Sequence, residues 1–294
     1  MRLVVGYLAT PSGADGVALG IRLARSLNAR LELCMVIPPD RTLPARVPAD
    51  PGYDDVLVHQ AHQWLAEALA TVPDDVQASA HLSFHESFAQ GLLDEVNRLQ
   101  AHAIVVGASH DGVLGRHAIG TVTSDLLHSA HVPVALAPRG TRHHDVPRVR
   151  EVTCAVGTRA GAAVLLRTAV RSCLRMQSPL RLVSLVSIEP HHHLRGDGRA
   201  VRERAVTHAQ AVLDEARVQL QGDGLAITAQ VADGDSVESA VRTLEWHEGD
   251  IVLVGSSRLA QHHRLFLGST AAKMLRVVPV PMVVVPNSDG HPDD

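Results

Sequence analysis

Short apolar runs alternate with stretches of helical periodicity along the whole chain. The first run, RLVVGYL at 2–8, predicts a buried strand, and residues 12–28 carry apolar positions at helical spacing with Ser12 as a candidate N-cap. The same alternation predicts strands at 29–37, 76–85, 103–108 and 132–138, helices at 55–72 and 88–100, and a Pro-rich loop at 38–55. Strands that alternate with helices in this way indicate a doubly wound parallel sheet.

The pattern occurs twice. Gly107 and Gly120 recur as Gly255 and Gly268, in both cases 148 positions later. The second copy predicts strands at 151–156, 180–188, 225–232, 251–256 and 280–286, and helices at 162–175, 205–221 and 236–247. One period without gaps indicates a duplicated domain. We therefore predict domains at 1–140 and 150–288, a linker at 141–149 and a disordered tail at 289–294.

Composition agrees with two α/β domains. The chain has 294 residues, of which 46% are hydrophobic and only 2% aromatic, so Ala, Val and Leu must fill the cores. The net charge of -4 shows no basic stripe, which argues against a nucleic-acid partner. Without a membrane-length apolar run or a secretory leader, we expect a cytoplasmic protein. Cys34, Cys154 and Cys173 lack metal or redox spacing and are predicted to be reduced core thiols.

Each repeat contains a glycine loop with the chemistry of an anion site. Ligands of open parallel sheets bind beyond the carboxyl ends of the strands, where Gly107 and Gly255 are predicted to lie. A helix that opens at glycine and a hydroxyl residue offers free N–H groups and a positive dipole end to phosphate. Ordinary strand and helix termini use the same residues, but the repeated spacing favours a site. The candidate contacts are Gly107, Ser109, Gly120 and Thr121 in the first half, and Gly255, Ser257, Gly268, Ser269 and Thr270 in the second, with Arg116, His117, Arg258 and Arg264 nearby.

The spacing Gly, two residues, Gly, nine residues, Gly, Ser/Thr, between a Val-rich strand and a P-V-x-V strand, resembles the nucleotide loop of the universal stress protein family. The resemblance implies five-stranded domains of the adenine nucleotide α-hydrolase-like type, paired through their fifth strands about a pseudo-twofold axis. It further implies a regulatory or protective role under stress. Many members of the family bind ATP or a related adenine nucleotide, and other members bind none. Association of two such chains into a homodimer stays open.

Two features depart from the family pattern. The second loop glycine falls at His110 and Arg258, where a side chain obstructs close backbone approach, although a cation there can also attract a triphosphate. The acidic residue expected after the first strand falls at Leu8 and Val156, which cannot accept a hydrogen bond. The residues expected to contact the phosphates therefore match the family pattern better than those expected to contact the nucleoside.

Histidine is the remaining candidate chemistry. The 19 histidines include clusters in predicted loops at 143–144, 191–193 and 262–263, and we interpret them as surface residues. His59 and His62 share a helical face but equally flank an apolar stripe, so no metal site is predicted. The sequence has no nucleophile elbow, P-loop or dinucleotide motif.

Three functions stay open. The first is a non-enzymatic stress-response protein with a regulatory nucleotide. The second is an interaction protein with degenerate sites. The third is a slow nucleotide hydrolase that would draw on His117 or His262.

Overall fold

The computed structural model describes residues 1–39, 51–108, 120–157, 162–187, 198–220, 224–257 and 265–286. The strands are β1 (Arg2–Gly6), β2 (Arg30–Ile37), β3 (Ala78–Phe84), β4 (Ala103–Gly107), β5 (Val134–Ala137), β6 (Val152–Ala155), β7 (Leu180–Ser187), β8 (Ile227–Gly234), β9 (Ile251–Gly255) and β10 (Met282–Val285). The helices are α1 (Pro11–Leu27), α2 (Pro51–Ala70), α3 (Phe88–Leu99), α4 (Thr121–Ser129), α5 (Ala162–Met176), α6 (Gly198–Gln219), α7 (Val237–Arg242) and α8 (Ser269–Leu275).

The ten strands form one continuous sheet. Its order is β3-β2-β1-β4-β5-β10-β9-β6-β7-β8, so each half contributes five parallel strands in the same order from its outer edge. The halves meet where β5 and β10 run antiparallel, with Leu136 opposite Met282 and Val134 opposite Val284. The predicted doubly wound fold is confirmed, and the pairing through fifth strands that the resemblance implied is present within one chain.

The central strands are apolar because helices cover both faces of the sheet, and β5 is buried at every position. The edge strands β3 and β8 are mostly half-buried and carry alternating polar residues. Cys34, Cys154 and Cys173 lie in this interior as free thiols, as predicted. Burial raises the pKa of Cys173 to about 12, so its thiol stays neutral at physiological pH.

Four element boundaries differ from prediction. Thr10, and not Ser12, caps α1, because its hydroxyl accepts the Gly13 N–H at 3.1 Å. Helix α2 begins at Pro51 inside the predicted loop, where a missing N–H costs nothing in the first turn. Helix α6 begins seven residues before the predicted start, in a polar segment without an apolar stripe, and α7 ends at Arg242. Apolar periodicity alone did not mark these ends.

The predicted linker is held against α1 by buried polar side chains. Asp15 is fully buried and accepts the backbone N–H groups of Gly140 and Arg142, both at 3.0 Å. Further along α1, Arg22 donates to the carbonyl oxygen of Val146 at 3.0 Å. The same stripe continues at Ser26, whose hydroxyl accepts the Val149 N–H at 2.8 Å. The segment between the halves is therefore a packed part of the fold.

Candidate functional site

The first glycine loop leaves β4 at a point that the start of α1 covers. A Cβ added to Gly107 would lie 1.8 Å from the carbonyl oxygen of Ser12. A Cβ on Gly16, one turn further along α1, would lie 3.0 Å from the Gly107 nitrogen. Gly107 is therefore required by the packing of α1 on the end of β4, whatever else the loop binds.

The first loop ends at the amino terminus of α4. Gly120 is the N-cap, with φ -78° and ψ 171°, and no described side chain caps the helix there. Thr121 follows it, exposed, and the first turn contains no acidic residue. The positive end of α4 is thus available to an anion. Ser109, His110, Arg116 and His117 lie outside the described residues.

The second loop is closed by contacts between its two ends. The Ser257 N–H donates to the Phe266 carbonyl oxygen at 2.7 Å, and the Phe266 N–H donates to Ser256 Oγ at 2.7 Å. The Ser257 Cβ lies 3.4 Å from the position that a Cβ on Gly268 would take. The structure therefore brings together two predicted phosphate contacts, the hydroxyl-bearing Ser257 and the helix cap Gly268.

The remaining predicted contacts of the second half flank this pair. Ser269 and Thr270 are exposed in the first turn of α8, whose N-cap Gly268 has no side chain to accept a hydrogen bond from the first-turn N–H groups. At Gly255 an added Cβ would have the Leu165 side chain, 3.7 Å away, as its nearest described neighbour. Arg258, His262 and Arg264 lie outside the residues that the structure describes, as do Thr158 and its neighbours up to 161.

The positions expected to hold acids have unlike environments. Leu8 is 43% exposed, and its carbonyl oxygen lies 1.9 Å from where a Cβ on Gly13 would stand. Val156 is buried, and its N–H donates to the Val183 carbonyl oxygen at 2.7 Å. Neither side chain can hold a ligand polar group, so any nucleoside must be recognised by other atoms.

Comparison with known proteins identifies the family. The model described as "Universal stress protein family" matches residues 1–138 and again residues 149–286. The chain belongs to the universal stress protein family. Among curated relatives, this universal stress protein is 28% identical over 297 residues to Universal stress protein Rv2319c of Mycobacterium tuberculosis, covering 97% of this chain and all of the relative.

Solved structures agree on the fold. A universal stress protein from Archaeoglobus fulgidus superposes with a TM-score of 0.67 at 15% identity, covering 99% of this chain and 97% of the other. A Pseudomonas aeruginosa protein described as functionally unknown superposes with a TM-score of 0.58 at 16% identity, covering 98% and 93%. Two complete domains of the family in one chain account for the tandem arrangement.

The histidines of this universal stress protein lie mostly at its surface where they are described. His59 and His62 are exposed on α2, and His143 is exposed in a short 3-10 helix of the linker. His144 is half-buried, with Nε2 3.9 Å from a Glu248 carboxylate oxygen. The clusters at 191–193 and 262–263 fall outside the described ranges.

Two kinds of feature are absent from the part of the chain that the structure describes. No group of three or more metal-ligating side chains lies together there. Within the same residues, no helix has the length and apolarity to cross a membrane.

Residues that sequence reasoning missed also shape the site. Phe266 ties the two ends of the second loop, and Ser12 covers Gly107. The apolar run Leu-Phe-Leu at 265–267, which follows the polar residues 261–264, was the available signal for the first. Backbone atoms make the second contact, so side-chain pattern carried no signal for it.

Proposed function

We propose that this universal stress protein is a cytoplasmic, non-enzymatic regulator that binds a phosphate-bearing ligand, ATP or another adenine nucleotide, at one or both glycine loops. The observation that carries the proposal is a contrast between helix starts. Thr10, Ser87 and Ser236 cap α1, α3 and α7 with their hydroxyls. By contrast, α4 and α8, which follow the glycine loops, begin at glycines that no described side chain caps.

An uncapped helix start suits a phosphate for two physical reasons. Its first N–H groups have no intrahelical acceptor, and the aligned peptide dipoles place about half a positive charge there. No acidic side chain in the first turn of either helix offsets that charge. In the second half, the Ser257 hydroxyl lies beside the same helix start and adds a neutral donor. The chemistry offered by the described ends of these loops is hydrogen-bond donation to an anion, which supports ligand binding.

A second candidate function is an interaction protein that needs no nucleotide. Apolar Leu8 and Val156 at the expected acid positions favour it, because the nucleoside end of the site then lacks a family contact. The Ser12 carbonyl oxygen over Gly107 favours it for the first half, since that face of the strand end is already covered.

The deciding experiment identifies what the purified protein carries. Small molecules released by gentle denaturation are analysed by mass spectrometry, and thermal shifts are measured with ATP, ADP, AMP and cyclic AMP. We expect one of these to be released or to raise the Tm. If none is released and none shifts the Tm, nucleotide regulation is wrong and the interaction protein is favoured.

Variants then locate the ligand. A methyl group in Gly268→Ala would lie 3.4 Å from the Ser257 Cβ and would occupy space beside the helix start where the phosphate is proposed to bind, so we expect nucleotide affinity to fall about tenfold, or about 1.4 kcal/mol. Gly120→Ala makes the matched change in the first half. Ser129→Ala, at the far end of α4, is the control and should leave affinity unchanged. Equal affinities in all three variants would contradict placement of the ligand at the glycine loops.

A further inference from the structure

The exit of the second glycine loop lies on the first half of the molecule. The Leu265 N–H donates to the carbonyl oxygen of Ala130 at 2.8 Å, and Leu265 is only 1% exposed. The next residue, Phe266, packs its ring edge-on against His128, with centroids 5.0 Å apart and planes at 88°. Both partners belong to the carboxyl-terminal end of α4 or directly follow it. Contacts between the halves therefore reach into the loop as well as joining the sheet.

The residue held by the first half also holds the candidate phosphate contact. Phe266 accepts the Ser257 N–H through its carbonyl oxygen and donates its own N–H to Ser256 Oγ. Movement of Phe266 would therefore move Ser257 relative to Gly268, whose separation sets the shape of the anion site. A displacement of about 1 Å is enough to weaken a preorganised set of donors.

His128 is fixed in the orientation that this contact requires. Its Nδ1 lies 2.6 Å from the Ser124 carbonyl oxygen, so Nδ1 carries the proton and donates along the helix. Ala130 is anchored by its own N–H, which donates to the Leu126 carbonyl oxygen at 2.9 Å. Helix α4 has nine residues and is thus about 14 Å long, with the first glycine loop at one end and the second loop at the other.

We propose that the first half positions the second ligand site: His128 and Ala130 are positioning residues, and the nucleotide affinity of the second glycine loop depends on them. The inference rests on the proposed function, since it assigns a ligand to that loop. The ligand itself contacts neither residue. The two halves therefore act as one binding unit, in which α4 adds support from the first half to the described end of the second loop.

The test uses the full chain and site-resolved hydrogen exchange, with ATP as the probe. In His128→Ala, removal of an edge-on ring contact should speed exchange at 257 and 265–266 by about three- to tenfold. Protection of 257 and 268–270 by ATP should require a correspondingly higher ATP concentration. His128→Phe keeps a ring and should restore both properties, whereas Ser129→Ala, on the same helix, should resemble the wild type throughout.

The outcomes separate the inference from the function on which it rests. If the amides at 257 and 265–266 exchange at wild-type rates in His128→Ala, and ATP protects 257 and 268–270 at the same concentration as in the wild type, the positioning role is wrong. Nucleotide binding itself then stands. If ATP protects neither loop in the wild type, the proposed nucleotide function fails, and exchange in the free protein still decides the positioning role. A Tm within 1–2 °C of wild type in His128→Ala, roughly the shift from a few tenths of a kcal/mol, would show that the effect is local.

Discussion

Replacement of Asp15 by alanine tests whether the linker is an integral part of the fold. The carboxylate is fully buried and accepts three hydrogen bonds, from the backbone N–H groups of Gly140 and Arg142 and from Arg142 Nη1 at 2.9 Å. Asp15→Ala would leave two backbone donors without their acceptor, and the Arg142 guanidinium would keep only the Pro11 carbonyl oxygen, to which Nη1 donates at 3.0 Å. No other described side chain makes these contacts.

The expected loss follows from the burial of each partner. Removal of one member of a buried ion pair typically costs about 3–5 kcal/mol, because the other member stays desolvated. The Arg142 side chain is 31% exposed and can recover part of its hydration, so the lower end applies. We expect the free energy of unfolding to fall by about 3 kcal/mol, a large share of the roughly 5–15 kcal/mol that stabilises a folded domain.

Urea denaturation of the full chain, followed by circular dichroism, measures this loss. The control is Glu203→Ala on α6, whose partner Arg199 is 87% exposed, and it should change stability by less than about 1 kcal/mol. An unfolding free energy for Asp15→Ala within about 1 kcal/mol of wild type would refute the reasoning. That result would mean that water or a rearranged linker replaces the carboxylate at little cost.

Three further predictions concern packing and thiol ionisation. Gly107→Ala should destabilise by about 3 kcal/mol or more in urea titrations, because its methyl would meet the Ser12 carbonyl oxygen, whereas Gly157→Ala, with open space among described atoms, should not. Leu136→Ala at the junction of the halves should cost about 2–5 kcal/mol by the same assay, and a loss below about 1 kcal/mol would contradict tight packing there. Burial raises the pKa of Cys173 to about 12, so above about pH 9 the thiol loses its proton on unfolding but keeps it in the folded protein. The free energy of unfolding should therefore fall between pH 9 and 12, by up to about 1.4 kcal/mol per pH unit from this thiol. In Cys173→Ala the fall over the same pH range should be smaller.

The sequence predicted the central strands well because they are buried on both faces and therefore form apolar runs. The edge strands β3 and β8 are mostly half-buried and alternate apolar with polar residues, a pattern that also predicts a strand, so the ten described strands were found with ends within a few residues. Polar positions on helices are harder to interpret. Asp15 fits the polar face of an amphipathic α1, and helical periodicity cannot distinguish a face that meets water from one that meets a linker.

For the candidate site, the structure describes part of the predicted geometry, and ligand binding there stays a prediction. Repeat spacing placed Ser257 and Gly268 at one site, and the structure brings them together because both flank the carboxyl end of one strand. The contact between His128 and Phe266 joins residues in different halves. It depends on how those halves pack about the pseudo-twofold axis, which local pattern does not encode. Sequence pattern could thus relate Ser257 to Gly268 but not predict the contact between the halves.

The anchored linker also explains how a short junction between the halves can be specific. β5 and β10 share only the pairs from Val134 to Leu136, and the same strand edges could pair between separate chains. A covalent connection from 138 to 151 makes the internal pairing effectively intramolecular, which favours it at ordinary protein concentrations. Any arrangement that draws the linker away from α1 would leave Asp15 buried without its donors, at a cost of several kcal/mol. Connectivity therefore brings the halves together, and the buried carboxylate favours the linker path that keeps Gly140 and Arg142 against α1.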